Sequence, residues 1–390
     1  MTGFTYYAPT RVYFGRDADR NISEKLREFS PGKILILYGG GSCVRSGLIG
    51  RVEDDLRAGG YAFITRGGVE PNPKLAFVRE TVKLCVAEGV DFILAVGGGS
   101  VIDAAKSTAV SVASGCDPWD IIMCRANPDR ALAIGVVLTI AAAGSEMSNS
   151  HVITNSEENI KKGRSLDILR PKVAFMNPEN TFSVPAYHTA AGVVDIMMHT
   201  FERYFTGDRP TMPTDRIAEA ILLTVKEAGA VLSKDPENYD ARAAVMWASS
   251  LSHNGLTSCG KSFKGLTVHQ LEHGLSGVFD RVTHGAGLAV LYPAWAKYVY
   301  KYDIPRFSRI ARKVWGVEGD TPELTAILGI EAMKRYFASI GMPTTLEELD
   351  VHESDFDILA DNISQNGTRV IDSYVPLDRQ AVLDILELAK

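Results

Sequence analysis

At 390 residues the chain is longer than one hydrophobic core usually serves, so two domains are expected. A composition of 46% hydrophobic and 23% charged residues, without low-complexity tracts, excludes a disordered protein. A net charge of −6 with no basic block excludes nucleic acid as the main partner, because nothing stands ready to neutralise phosphates.

Five cysteines (Cys43, Cys85, Cys116, Cys124, Cys259) are odd in number, scattered and free of any Cys-x-x-Cys. They suit reduced thiols in the cytoplasm better than a disulfide framework or a zinc ribbon. Residues 1–7 have neither a charged n-region nor an apolar h-region, so no signal peptide is expected. The longest apolar stretch, 131–144, is too short and too glycine-interrupted to span a bilayer. A cytoplasmic protein without a membrane partner is the expectation.

In chain order, residues 34–38 read as a buried strand, followed by Gly39-Gly40-Gly41-Ser42 and an amphipathic helix near 48–58. A second strand at 61–65 leads through Gly67-Gly68 and Pro71-Asn72-Pro73 to a helix near 74–88. The apolar run 92–96 enters Gly97-Gly98-Gly99-Ser100 and a helix bearing Asp103 and Lys106. Further strands fit 132–138 and 172–176. Strand, turn and helix in repeated alternation imply a parallel sheet covered on both faces. After about residue 185 helical periodicity dominates to 390, with stops such as Gly207, Pro210 and Gly260. The expected division is an α/β domain over 1–185 and an all-helical domain over 186–390, without internal repeats.

A glycine-rich turn between strand and helix lets the backbone approach a phosphate, and the helix start offers unpaired N–H groups. The turns at 39–42 and 97–100 have this context, although neither is a Gly-x-Gly-x-x-Gly fingerprint nor a P-loop. Each alone also fits a plain tight turn; two in one α/β half favour a nucleotide.

In the helical half, Asp195 and His199 stand four apart and share a helix face. His269 opens His269-Gln270-Leu271-Glu272-His273, and His284 lies in Thr283-His284-Gly285. An i, i+4 ion pair or packed histidines would explain any one of these. Yet the chain has only eight histidines, and four fall at 199, 269, 273 and 284 beside small or apolar residues, where unpaired imidazoles are costly to bury. One carboxylate and three imidazoles suit Fe²⁺ or Zn²⁺. His-x-x-Glu-His is also the inverted signature of some zinc proteases, a reading that leaves the nucleotide-type half and the Asp195/His199 pair unexplained.

These segments together resemble the iron-containing (group III) alcohol dehydrogenases over nearly the whole chain. Gly97-Gly98-Gly99-Ser100-Val101-Ile102-Asp103-Ala104-Ala105-Lys106 is similar to the family's phosphate-binding turn, and Gly144-Ser145-Glu146 to its Gly-Ser-Glu element. The Asp195/His199 segment and Gly265-x-x-x-His269-x-x-Glu272-His273-x-Leu275-x-Gly277 resemble its two metal signatures. Among subgroups the chain looks most like the butanol dehydrogenase and broad aldehyde reductase branch.

The resemblance implies a dehydroquinate synthase-like architecture: an N-terminal dinucleotide-binding domain, a helical domain, and a ligand that meets both. It implies hydride transfer between nicotinamide and a small alcohol or aldehyde, and a homodimer or larger homo-oligomer. Asp195, His199, His269 and His284 take the metal-ligand roles, and His273 a catalytic place near nicotinamide and substrate. Cofactor contacts fall to Gly41, Ser42, Asn72, Gly98, Gly99, Ser100, Asp103, Thr139, Ser148, Lys161 and Lys162.

Two departures bear on the cofactor. Ala142-Ala143 stand where many members carry Gly-Thr, which passes contacts to Thr139 and Ser148. Gly41-Ser42 stand where NAD-preferring relatives often carry an aspartate, and Arg45 lies nearby, so NADP(H) is favoured over NAD(H). A lyase of the dehydroquinate synthase type, using nicotinamide only transiently, remains the alternative within this architecture.

Overall fold

The computed structural model describes every residue except Arg209 and Lys264. The chain divides into two compact units, residues 7–183 and residues 184–390 together with 1–6. In the second unit Thr2 N–H donates to the carbonyl of Gly260, which ties the N-terminus to helical neighbours.

The first unit is built on a six-stranded parallel sheet: β1 (Arg11–Phe14), β2 (Lys33–Tyr38), β3 (Ala62–Arg66), β4 (Phe92–Gly97), β5 (Ala133–Leu138) and β8 (Val173–Met176), in the order β1-β8-β5-β4-β2-β3. The central strands carry almost unbroken apolar runs because both faces are covered, and every residue of β4 is buried. On one face Ile34, Ile36, Phe92, Leu94 and Val96 pack against Val52 and Leu56 of the Leu48–Ala58 helix.

Three strands were not legible as strands in the sequence. β1 is a four-residue edge strand, half-buried at its two middle residues and exposed at both ends. β6 (Ser150–Asn155) and β7 (Ile160–Ser165) form a separate antiparallel hairpin. β7 reads Ile-Lys-Lys-Gly-Arg-Ser with little burial, so it has no apolar alternation to betray it.

A buried ammonium fixes the segment that follows β5. Lys106, on the Gly99–Ser114 helix, is fully buried. Its Nζ donates to the carbonyls of Ser145, Ser148 and Ser150 at 2.7, 3.0 and 2.8 Å, and to the hydroxyls of Ser145 and Ser148. Asp103, one turn earlier, accepts from Ser145 Oγ at 2.7 Å and from the N–H of Val152 at 3.1 Å. Burial, only partly offset by Lys106, raises the Asp103 carboxyl to about 6. The Lys106 ammonium is lowered by burial to about 8, with Asp103 acting against the shift.

The second unit is helical, with main helices Ala186–Tyr204, Met212–Leu232, Tyr239–His253, Thr267–Val278, His284–Val299, Pro322–Ser339, Phe356–Ser364 and Arg379–Leu388. Several starts are capped by side chains: Asn238, Thr321 and Asp378 each accept a backbone N–H of the first turn. The Ala186–Tyr204 helix is buried along its whole length from Thr189, which makes it the centre of this unit. A Cβ at Gly285 would lie 2.1 Å from the carbonyl oxygen of Ala191, so only glycine allows the His284–Val299 helix to approach so closely. No helix among the described residues is long and apolar enough to cross a membrane.

Replacing Lys106 by Met strands three buried carbonyls and removes the charge that offsets Asp103. Lys106→Met should lower stability by about 3–5 kcal/mol, read as a shifted urea midpoint at unchanged slope. A change below about 1 kcal/mol would mean that water replaces the ammonium.

Candidate metal centre and coenzyme cradle

Three turns of the Ala186–Tyr204 helix present Asp195, His199 and Glu202 at spacings of four and three, on one face. The Thr267–Val278 helix contributes His269, Glu272 and His273, and His284 opens the His284–Val299 helix. Asp195, His199 and His269 are all buried, and their ligand atoms lie within 4.8 Å of one another. Asp195 Oδ1 is 3.4 Å from His199 Nε2, 3.4 Å from His269 Nε2 and 3.8 Å from His284 Nε2. Ligands about 2.1 Å from a cation in tetrahedral geometry sit about 3.4 Å apart, so the donor set fits a divalent ion.

Two of these imidazoles are held from behind by carboxylates that the sequence reading did not single out for that work. His269 Nδ1 contacts Glu202 Oε1, and His284 Nδ1 contacts Glu272 Oε2. Each contact places a proton on Nδ1 and leaves Nε2 free to ligate, which is how metal-binding histidines are commonly oriented. Glu202 also accepts the N–H groups of Val268 (2.6 Å) and His269 (3.3 Å), at the electropositive start of the Thr267–Val278 helix. Glu272, which a zinc protease would keep as its base, has its carboxylate committed to His284.

Electrostatics separates these imidazoles. Burial and the surrounding His253, His269 and Arg203 hold the His199 imidazole well below its ordinary pKa, hence neutral. For His269, burial acts against protonation, but Glu202 and Asp195 outweigh it and push the imidazole up to about 9. His269 therefore keeps a proton at neutral pH until a cation displaces it.

Exposure grades across the site. The side chain of His284 is 26% exposed, against 4% for His199 and His269, so small molecules would reach the centre from the His284 side. His273, half-buried, stands there with its ring centroid 5.6 Å from that of His284. It groups with Glu272 and His284 rather than with Asp195, His199 and His269.

Sequence reasoning also passed over His253. It ends the Tyr239–His253 helix, is 8% exposed, and places Nδ1 3.1 Å from His199 Nε2. No motif surrounds it; the available signal was the scarcity of histidines in the chain.

All eleven cofactor candidates lie in the sheet-containing unit. Gly98 is the N-cap of the Gly99–Ser114 helix, and a Cβ there would meet Ile140 at 3.0 Å, so the turn packs tightly on the segment after β5. Thr139 N–H donates to the carbonyl of Gly97, which brings Thr139 beside Gly98, Gly99 and Ser100. Asn72 has a φ of +50° in its turn. Neighbouring Pro73 accepts the N–H of Thr154, the register partner of Lys161, so the Asn72 turn adjoins β6, and Lys161 and Lys162 lie on the paired strand β7. Gly41 and Ser42 follow β2, and Arg45 Nη1 would lie 2.7 Å from a Cβ at Gly41.

Two candidates are placed otherwise. Ser148 is 1% exposed and its hydroxyl is held by Lys106 and by the N–H of Ser150. The Asp103 carboxylate is likewise engaged with Ser145 and Val152. Ser148, in the loop, and Asp103, on the helix, are thus both held in internal hydrogen bonds around the buried ammonium of Lys106, which needs acceptors in place of water.

Residues 9–178 match the family model "Iron-containing alcohol dehydrogenase", and residues 189–390 match "Fe-containing alcohol dehydrogenase family, C-terminal". NADH-dependent butanol dehydrogenase A of Clostridium acetobutylicum is 39% identical, with 99% of each chain covered. NADPH-dependent aldehyde reductase YqhD of Escherichia coli is 34% identical, with 94% of each covered. The crystal structure of NADH-dependent butanol dehydrogenase A from Thermotoga maritima superposes with a TM-score of 0.97 at 36% identity, covering 100% of this chain and 99% of the other.

Glu202→Gln keeps the shape of the side chain but removes its charge. It should weaken metal binding by about tenfold or more, measured by competition with a chromogenic chelator. In the unmodified protein, affinity should rise with pH through neutrality as the His269 proton becomes easier to displace. A pH-independent affinity would contradict the protonation assigned to His269.

Proposed function

Because the chain belongs to the iron-containing alcohol dehydrogenase family, we propose that it interconverts small primary alcohols and aldehydes by metal-assisted hydride exchange with NADP(H). At the coarser level it is an NAD(P)H-dependent alcohol dehydrogenase or aldehyde reductase. The observation that carries the metal reading is the convergence of Asp195, His199, His269 and His284, with carboxylates behind two of the imidazoles.

Fe²⁺ or Zn²⁺, when bound, polarises the substrate oxygen as a Lewis acid, while the nicotinamide gives or takes the hydride. The protein's own groups do the rest. Asp195 lowers the net charge of a bound dication, and Glu202 and Glu272 keep the Nε2 atoms of His269 and His284 turned toward it. His273 is the group assigned to proton traffic: it delivers a proton toward the substrate oxygen in reduction and removes one in oxidation, through water or ribose hydroxyls. The N–H groups at Gly99 and Ser100 open a 16-residue helix and are the natural cradle for the pyrophosphate. Asn72, Lys161 and Lys162 supply the hairpin-side contacts.

The NADP(H) preference rests on Gly41 and Arg45. Without a carboxylate at 41, nothing there accepts a ribose 2′-hydroxyl or repels a 2′-phosphate, and Arg45 offers a guanidinium against the same backbone. Cytoplasmic location and a homo-oligomeric state complete the reading.

Absorbance at 340 nm with NADPH and butanal, on protein stripped of metal and reloaded with Fe²⁺ or Zn²⁺, tests the function. Metal-dependent, stoichiometric loss of absorbance is expected; coenzyme that cycles without net oxidation would instead support a lyase. His273→Ala should lower turnover while metal content stays unchanged, and loss of metal would make His273 a ligand. In Gly41→Asp the new carboxylate meets Arg45, so the variant should move toward NADH, read as the ratio of kcat/KM values for the two coenzymes. An unchanged ratio would place selectivity elsewhere.

A further inference from the structure

Resting on the metal reading of the centre, we propose that Arg203 is a fixed positive charge behind His199 that loosens the centre's hold on its cation and strengthens the cation's pull on a substrate oxygen. Arg203 follows Glu202 on the Ala186–Tyr204 helix and is 5% exposed. Its Nη1 donates to the His199 carbonyl at 2.8 Å and lies 3.4 Å from His199 Nδ1. On the other side of the same ring, His199 Nε2 is 3.4 Å from Asp195 Oδ1. A guanidinium therefore stands behind His199, where His269 and His284 have the carboxylates of Glu202 and Glu272.

No carboxylate among the described residues forms an ion pair with Arg203; its Cζ instead lies 5.0 Å from the ring centroid of Phe263. Burial lowers the guanidinium to about 10, with Glu202 and Asp195 acting against the shift, so it stays charged at neutral pH. Lys261 fixes the backbone there, donating to the Arg203 carbonyl at 3.1 Å while it pairs with Asp215 at 2.8 Å. A carboxylate behind a metal-binding histidine accepts the Nδ1 proton and makes Nε2 a better donor. Arg203 reverses both effects. It cannot accept a proton, so once Nε2 is given to a cation, the proton on Nδ1 faces another N–H. Its charge also repels a dication across a buried, poorly screened path. With less electron density from His199, the bound cation is the stronger Lewis acid.

The test measures Zn²⁺ affinity of the full-length protein by competition with a chromogenic chelator, at one pH and ionic strength. It compares the unmodified chain with Arg203→Met, Arg203→Gln and Arg203→Lys. The first two remove the charge, the second also offering an amide oxygen to Nδ1; the third keeps the charge. Both neutral variants should bind Zn²⁺ about tenfold more tightly, and Arg203→Lys within about threefold of the unmodified protein. A residue that only braced the helix would give the opposite sign. Weaker or unchanged binding in the neutral variants, or equal tightening in Arg203→Lys, would overturn the role of Arg203 and leave the metal reading intact. Failure of the unmodified protein to take up stoichiometric Zn²⁺ would overturn both. Either neutral variant decides the matter if the other does not fold.

Discussion

The carboxylate of Glu202, 2% exposed, can remain charged inside the helical unit only if every lone pair finds a donor. The donors it finds are the N–H groups of Val268 and His269 and the Nδ1 of His269. Satisfying one buried charge therefore anchors the start of the Thr267–Val278 helix against the Ala186–Tyr204 helix. It also fixes which nitrogen of His269 faces Asp195. Glu272 repeats the device one turn on, with His284 as its partner. A Cβ at Gly287 would lie 2.9 Å from Glu272 Cγ, so a glycine makes room for that carboxylate. The candidate metal-binding side chains are thus organised by what stands behind them as much as by their own spacing.

The sheet-containing unit uses the same economy with the opposite sign. Lys106 is an ammonium without solvent, and the segment after β5 folds so that three carbonyls and two hydroxyls surround it. That arrangement holds the side chains of Ser145, Ser148 and Asp103 in internal hydrogen bonds. Glycine in the turn at 97–100 answers to packing: a Cβ at Gly97 would lie 2.5 Å from the side chain of Val101.

Within the family the relatives' names include both coenzymes, NADH for the butanol dehydrogenases and NADPH for the aldehyde reductase. The difference between the two coenzymes is a single phosphate on the ribose, which a few charges can discriminate. In this chain Arg45 stands beside the Gly41 turn after β2, its Nη1 2.7 Å from where a Cβ at Gly41 would lie.

The sequence by itself determined the alternation of apolar strands and helices, the glycine turns, and the i, i+4 pairing of Asp195 and His199. These are local properties: period, turn chemistry and helix geometry act over a few residues and leave a pattern in them. The hairpin β6–β7 escaped because its exposed residues carry no apolar alternation. Glu202, Glu272 and His253 escaped for a different reason. A carboxylate or imidazole reads alike whether it lies on a solvated face or behind a ligand, and only tertiary packing brings Glu202 to His269, 67 positions away, or His253 to His199, 54 positions away. Tertiary structure likewise decided that Ser148 and Asp103 serve a buried lysine, because desolvation of that ammonium is a property of the folded interior and of no short segment.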